Sequence, residues 1–368
     1  FTSLVSKNQF MKLNLSKISI LSLVIALSAA VSSCQRDQNT QYITIEGSIW
    51  HTAYHITYKG TEDLSADIIS KLREVEASLS PFLQDSQISK INNNVADSTD
   101  AYITKVLEAS KSINQIVPGF DPTVAPLLNL WGFGHDNAEE NSVPTAQQID
   151  SCLQSVGIAR CSINNGVIIK PSAETQFNFS AITKGLGCDE VGRMLAERGI
   201  NDYMIEIGGE IALSGVNPMG EKWRIMVDAP VNGSLPGDSQ VTTISVTNCG
   251  IATSGNYRNY HETAYGKYGH TISPLTGYPQ PTALLSVTVI APDAMTADAF
   301  ATAIMATTDT ELATTLSQLP DNISLIIVST GEATGSLPAS ELETLKNSSI
   351  YTVDSYAVIS YGDAFDVN

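Results

Sequence analysis

Cysteine and histidine are both scarce. The chain of 368 residues has five of each, and Cys34, Cys152, Cys161, Cys188 and Cys249 include no Cys-x-x-Cys pair and no histidine at metal-ligand spacing. That excludes a structural zinc site and a cysteine-dense disulfide scaffold; a Cys152–Cys161 bridge and two free thiols both stay open. Basic residues are few as well, 20 Lys and Arg against 38 Asp and Glu, for a formal charge of -18. A surface of that sign repels phosphate backbones, so no nucleic-acid partner is expected. Only one long apolar run exists, which excludes a polytopic membrane protein. The Gly-x-x-x-x-Gly-Lys order of a phosphate-binding loop is missing, and no internal repeat is present. With 43% hydrophobic and 16% charged residues, what remains is an ordinary globular chain able to bury a sizeable core.

The single apolar run, Ile18 to Val31, follows Met11, Lys12 and Lys17 and ends in Val31-Ser32-Ser33-Cys34. A basic stretch, a short apolar core and small residues before a cysteine predict a secretory leader with a lipoprotein box rather than a spanning helix, although a short membrane anchor has the same outline. On this reading residues 1–33 are an upstream extension and leader, Cys34 carries the lipid, and residues 34–44 are a polar tether. The protein is then exported and held on the membrane, facing the periplasm or the outside, with residues 45–368 as the folded domain.

From Ile43 onward, Ile43, Ile45, Ile49, Tyr54, Ile56 and Tyr58 nearly alternate, predicting strand broken at Gly47. Helical periods run over 64–79, with Ile68, Leu72, Val75 and Leu79 on one stripe, and over 99–117. A third helix, 180–198, stops at Gly199. Strands are predicted at 203–216, 222–228, 241–248 and 284–291, helices at 296–306 and 309–318, and strands at 323–329 and 355–360. The segment 231–240, rich in Gly, Pro, Ser and Asp, reads as a surface loop. Strands and helices are segregated rather than strictly alternating, which favours α+β.

Several segments have the residue types for chemistry. In Met295-Thr296-Ala297-Asp298-Ala299-Phe300-Ala301-Thr302, Asp298 and Thr302 are four apart and share a helix face, offering hard oxygen ligands suited to Mg²⁺; helix capping by Asp298 is the competing explanation. Phe177-Asn178-Phe179-Ser180-Ala181-Ile182-Thr183-Lys184-Gly185 runs strand into helix, and Lys184 suits a phosphate as a point charge, or is an ordinary surface lysine. His270, in Gly269-His270-Thr271-Ile272-Ser273-Pro274, is a candidate general base or a structural histidine. The aromatics of the segment from Gly119 to Gly134 suit a flat ring or a core equally. The Gly208-Gly209 pair reads as a turn or bulge.

Taken in order, FLQDSQISKIN from Phe82, FDPTVAPLLNLWGFG, FNFSAITKG, IEIGGE, IATSGNYRNY, HTISPLTG and ADAFATA resemble the ApbE family, FAD:protein FMN transferases, over about residues 45–320. The resemblance implies an α+β fold whose sheet is mixed and largely antiparallel, packed with helices around a central flavin cleft. It implies FAD as substrate, Mg²⁺ as cofactor and FMN transfer to a Thr or Ser hydroxyl of an acceptor protein, such as a subunit of a membrane redox complex, with release of AMP. Asp298, Thr302 and the Ala181 carbonyl match its metal ligands, and His270 and Asp298 its catalytic positions. Trp50, Phe82, Asp121, Asn178, Lys184 and Ile272 match flavin-contacting or flavin-proximal ones. Ser273 stands where the family usually has an acid, Ala301 where some members have a third acidic ligand, and Ile49-Trp50-His51-Thr52 replaces Thr-Met-Gly-Thr. Two other activities stay open within the resemblance: an FAD pyrophosphatase releasing FMN and AMP to water, and a flavin-binding lipoprotein without catalysis.

Overall fold

The computed structural model describes residues 41–134, 143–231, 237–255, 260–263, 266–269, 271–279, 282–330, 342–345 and 348–367. The chain opens with β1 (Tyr42–Ile49) and β2 (Thr52–Lys59), a hairpin whose register pairs Ile49 with Thr52. Its turn is Trp50-His51, both with positive φ (51° and 61°), the backbone hand that matches strand twist in a two-residue hairpin. The alternation therefore breaks at the turn, and Gly47 lies inside β1.

Helix α1 (Ser65–Leu79) buries the predicted stripe Ile68, Leu72, Val75 and Leu79 and stops before Pro81. Short α2 (Gln87–Asn92) follows, capped by the Ser86 side chain. Then comes α3 (Ala101–Ile116), capped by Asp100, which accepts from the Ile103 amide. Two short helices, α4 (Ala125–Leu130) and α5 (Ala146–Leu153), precede the β3 (Ser162–Asn164) and β4 (Val167–Ile169) hairpin. Central helix α6 (Ser180–Glu197) leads into β5 (Tyr203–Ile207) and β6 (Glu210–Ser214), then β7 (Trp223–Asp228), β8 (Gln240–Val246) and β9 (Cys249–Gly255). After the hairpin β10 (Tyr260–Thr263) and β11 (Gly266–Gly269) come β12 (Leu284–Ala291), α7 (Ala294–Met305), α8 (Leu312–Ser317) and β13 (Ser324–Thr330). β14 (Ser348–Val353), β15 (Tyr356–Tyr361) and β16 (Asp366–Val367) complete the order.

Nine strands make one sheet, ordered β1-β2-β5-β6-β9-β12-β13-β15-β14, and every pairing in it is antiparallel. One face packs against α6, α7 and α3 through Ala252, Val287, Val289, Leu325 and Ile327. The other face, Ile251, Ile290, Ile326, Val328 and Val358, is covered by β7 and β8 of a second, three-stranded sheet, which contribute Trp223, Ile225, Val227 and Ile244. Burial on both faces explains why β12 and β13 read as nearly unbroken apolar runs, LLSVTVIA and SLIIVST, instead of alternating. Among the described residues no helix is long and apolar enough to cross a membrane. Cys152, Cys161, Cys188 and Cys249 are free thiols.

Candidate active site

The site forms where α6, α7, β6 and β9 meet. Asp298 is buried in the second turn of α7, and its Oδ2 accepts the backbone N–H of Gly185 on α6 at 3.1 Å. In a regular helix the residue-185 N–H points at the carbonyl of residue 181, so the Ala181 carbonyl and the Asp298 carboxylate converge on one peptide group. Thr302, one turn beyond Asp298, shares a hydrogen bond of 3.2 Å with the Ser254 hydroxyl at the end of β9. The three predicted metal positions are thus gathered in one place, with a serine hydroxyl beside them. Among the described residues no three His, Cys, Asp or Glu side chains form a metal-binding group. A carboxylate, a hydroxyl and a main-chain carbonyl are nevertheless an all-oxygen set. That set suits Mg²⁺, which keeps several waters and needs few protein ligands.

Lys184, next along α6, forms an ion pair with Glu210, the first residue of β6. Glu210 is almost wholly buried and Lys184 half-buried. Burial pulls the Lys184 ammonium down, but the charges of Glu210 and Asp298 outweigh it and hold the group above the ordinary lysine range. Burial, with Asp298 adding repulsion, pushes Glu210 up to about 8 against the opposing pull of Lys184. Burial likewise raises Asp298, against Lys184 and the Gly185 amide. A cation bound beside these two raised carboxyls would favour their ionised forms.

The remaining predicted positions are distributed around this cluster. Asn178 lies just ahead of α6: its Oδ1 accepts from the Ser180 amide, and its backbone N–H donates to the Pro122 carbonyl. Asp121 sits in that adjoining turn, where Oδ1 accepts from the Thr123 amide and hydroxyl and Oδ2 from the Ile158 amide. Its carboxylate thus serves the turn that supports Asn178. Trp50 lies across Gly187 on α6, and its indole N–H is buried without a hydrogen-bond partner. Phe82 is 60% exposed in the loop after α1. Ile272 is buried with Leu127, Trp131, Ile149 and Val156, in a core cluster of its own. His270 lies outside the described residues, but the turn that follows it is held by Trp131, whose indole donates to the Gly277 carbonyl at 2.8 Å. Ser273 accepts from the amides of Leu275 and Thr276 in the same turn.

Three participants escaped the sequence reading. Glu210 ends IEIGGE and Ser254 lies in IATSGNYRNY, so the motifs were read without these roles; an acid directly after the Gly208-Gly209 pair was the available signal. Asp189, in the third turn of α6, accepts the Ala294 and Met295 amides, and nothing in its spacing predicts that contact.

Known proteins resemble this chain in sequence and in fold. A Haemophilus influenzae protein named FAD:protein FMN transferase is 33% identical over 299 residues, covering 77% of this chain and 85% of its own length. A Vibrio cholerae protein of the same name is 34% identical over 292 residues, covering 77% and 86%. Among solved structures, the flavin transferase ApbE from Vibrio cholerae superposes with a TM-score of 0.69 at 31% identity, covering 79% of this chain and 94% of that one. The Pseudomonas stutzeri flavinyl transferase ApbE gives 0.69 at 27%, covering 79% and 93%. Since the family model also spans residues 50–327, from the β1–β2 turn into β13, this chain belongs to the ApbE family.

Proposed function

We propose that this chain transfers FMN from FAD to a Thr or Ser hydroxyl of an acceptor protein, with release of AMP. The observation that carries the reading is the buried Lys184–Glu210–Asp298 cluster, set beside Thr302 and Ser254 at the junction of α6 and α7. Transfer onto a hydroxyl forms an O–P bond and breaks the pyrophosphate P–O–P link, so AMP departs and the hydroxyl proton must be accepted. Such a reaction needs little covalent help and much charge neutralisation and positioning. Lys184 supplies a cation at the phosphates, and Glu210 holds it in place from beneath. Asp298, Thr302 and the Ala181 carbonyl would hold Mg²⁺, which when bound neutralises developing charge on the phosphoryl oxygens. His270 is the residue the family pattern offers for the proton. Asn178 and Trp50 flank α6 where it faces the ligand.

The leader pattern before Cys34 supports an exported lipoprotein, which would place the acceptor on the same side of the membrane, among redox-complex subunits. Incubation with FAD, Mg²⁺ and an acceptor domain, followed by in-gel flavin fluorescence, tests the activity. A covalently fluorescent acceptor band is expected. AMP without a band would mean hydrolysis, and neither product would mean binding alone. Asp298→Ala should abolish transfer while the protein stays folded, since losing the single anionic ligand removes several kcal/mol of transition-state stabilisation. Near-normal transfer by that folded variant at saturating FAD and ordinary Mg²⁺ would remove Asp298 from the site.

A further inference from the structure

Helix α7 carries both candidate cation ligands, so whatever fixes α7 fixes the site. Its own N-cap is Asp293, whose Oδ1 accepts the Thr296 amide at 2.7 Å. A second carboxylate arrives from another helix. Asp189 Oδ1 accepts the Ala294 amide at 2.9 Å and Oδ2 the Met295 amide at 2.8 Å, the first two residues of α7. Asp189 and Gly185 are four residues apart on α6 and therefore share a face. Asp189 holds residues 294 and 295, and Gly185 donates to Asp298, one turn further along α7. Two successive turns of α6 thus grip two successive turns of α7 in antiparallel register.

The fit has no slack in it. A Cβ on Gly185 would run into the Ala294 carbonyl, and one on Gly250 of β9 into the Ala294 amide. The first turn of α7 is therefore wedged between α6 and β9 at backbone contact. Closeness alone leaves the helix free to slide or rotate; a carboxylate whose two oxygens each take a different amide removes that freedom.

We propose that Asp189 is a positioning residue for the cation site, clamping the first turn of α7 to α6 so that the Asp298 carboxylate and Thr302 hydroxyl are held where a divalent cation can use both. The inference rests on the reading that Asp298 and Thr302 hold such a cation. Asparagine in place of Asp189 keeps shape but has one acceptor, and turns an N–H toward an amide N–H.

The test uses the full chain stripped with chelator, Mn²⁺ as the probe and electron paramagnetic resonance of the free ion as the readout, on wild type, D298N, D189N and D293A. FAD affinity without metal is measured alongside. D298N should remove the site. D189N should weaken Mn²⁺ binding by about 10- to 100-fold, the loss typical when a partner that orients a ligand is removed, with metal-free FAD affinity little changed. D293A, which removes an N-cap of the same helix but leaves the α6 clamp, should bind Mn²⁺ much more tightly than D189N. Wild-type Mn²⁺ affinity in D189N, with the site lost in D298N, would overturn the clamp and leave the site reading intact. Unchanged binding in D298N would overturn the site reading and the clamp with it. Equal losses in D189N and D293A would reduce Asp189 to ordinary helix capping and also overturn the proposal. Should D189N fail to fold, D189E, which keeps the charge but shifts both oxygens by one methylene, is judged by the same criteria.

Discussion

Lys184 shows what a single side chain contributes where charge is buried. Its half-buried ammonium pairs with buried Glu210 and also feels the charge of buried Asp298. Removing one partner of such a pair is costly because the other is left uncompensated, by about 3–5 kcal/mol, whereas replacing both is often near neutral. Lys184→Met should therefore lower the urea midpoint markedly at pH 8, and Lys184→Met combined with Glu210→Gln should recover much of the loss. A single variant as stable as wild type would mean that the pair is too well solvated to matter. At this scale the sequence was legible in residue types and opaque in partners. Asp298, Thr302 and Lys184 stood out because i, i+4 spacing and a lysine in a small-residue segment carry chemical meaning. Glu210 did not, because its role exists only once β6 is laid beside α6. Asp121 illustrates the reverse: an acid in a motif position whose oxygens are occupied by Thr123 and Ile158.

Elements were predicted where one periodicity dominated. α1 shows its stripe plainly, and Pro81 marks its limit. β12 was found because a both-face-buried strand is an apolar run of strand length bounded by breakers. β9 was missed because Cys249-Gly250-Ile251-Ala252-Thr253-Ser254-Gly255 has small residues where side chains would declare a period. The reason lies in packing: α7 comes against β9 closely enough that Gly250 has no room for a Cβ. Small residues at α6 and β9 are thus what lets α7 reach its place, and Gly185→Ala should test this. The added methyl meets the backbone carbonyl of Ala294, which cannot rotate aside as a side chain would. Overpacking of this kind costs about 1–3 kcal/mol. Differential scanning calorimetry should show a lowered Tm, with FMN transfer reduced beyond what the unfolded fraction explains. An unchanged Tm would mean that the two helices separate easily, against the two-point grip described above.

For the whole molecule, the buried acids and the acidic surface make a joint claim about pH. Glu210 rises from 4.5 to about 8. A carboxyl whose native value lies above its unfolded one binds its proton more tightly when folded. Its contribution is complete below the unfolded value and disappears as pH rises through the native one. Lys184, held above 10.5, contributes equally throughout that interval. Glu190 acts in the opposite sense: burial raises it, but Arg193 and Lys105 win and lower it, so its contribution is lost only as pH falls below the ordinary carboxylate range. The metal-free protein should accordingly be most stable near pH 5 and lose stability steadily toward pH 8. Surface repulsion from a net charge of -18 predicts the same direction, so the slope alone decides nothing. Salt separates them. At about 0.5 M NaCl the Debye length is about 4 Å, which screens the surface but reaches buried groups far less. Thermal melts in chelator at high salt should retain most of the decline between pH 5 and 8, and Glu210→Gln should flatten it. A wild-type profile that becomes level in salt would assign the effect to the surface, and a Glu210→Gln slope equal to wild type would show that Glu210 keeps no proton in the fold.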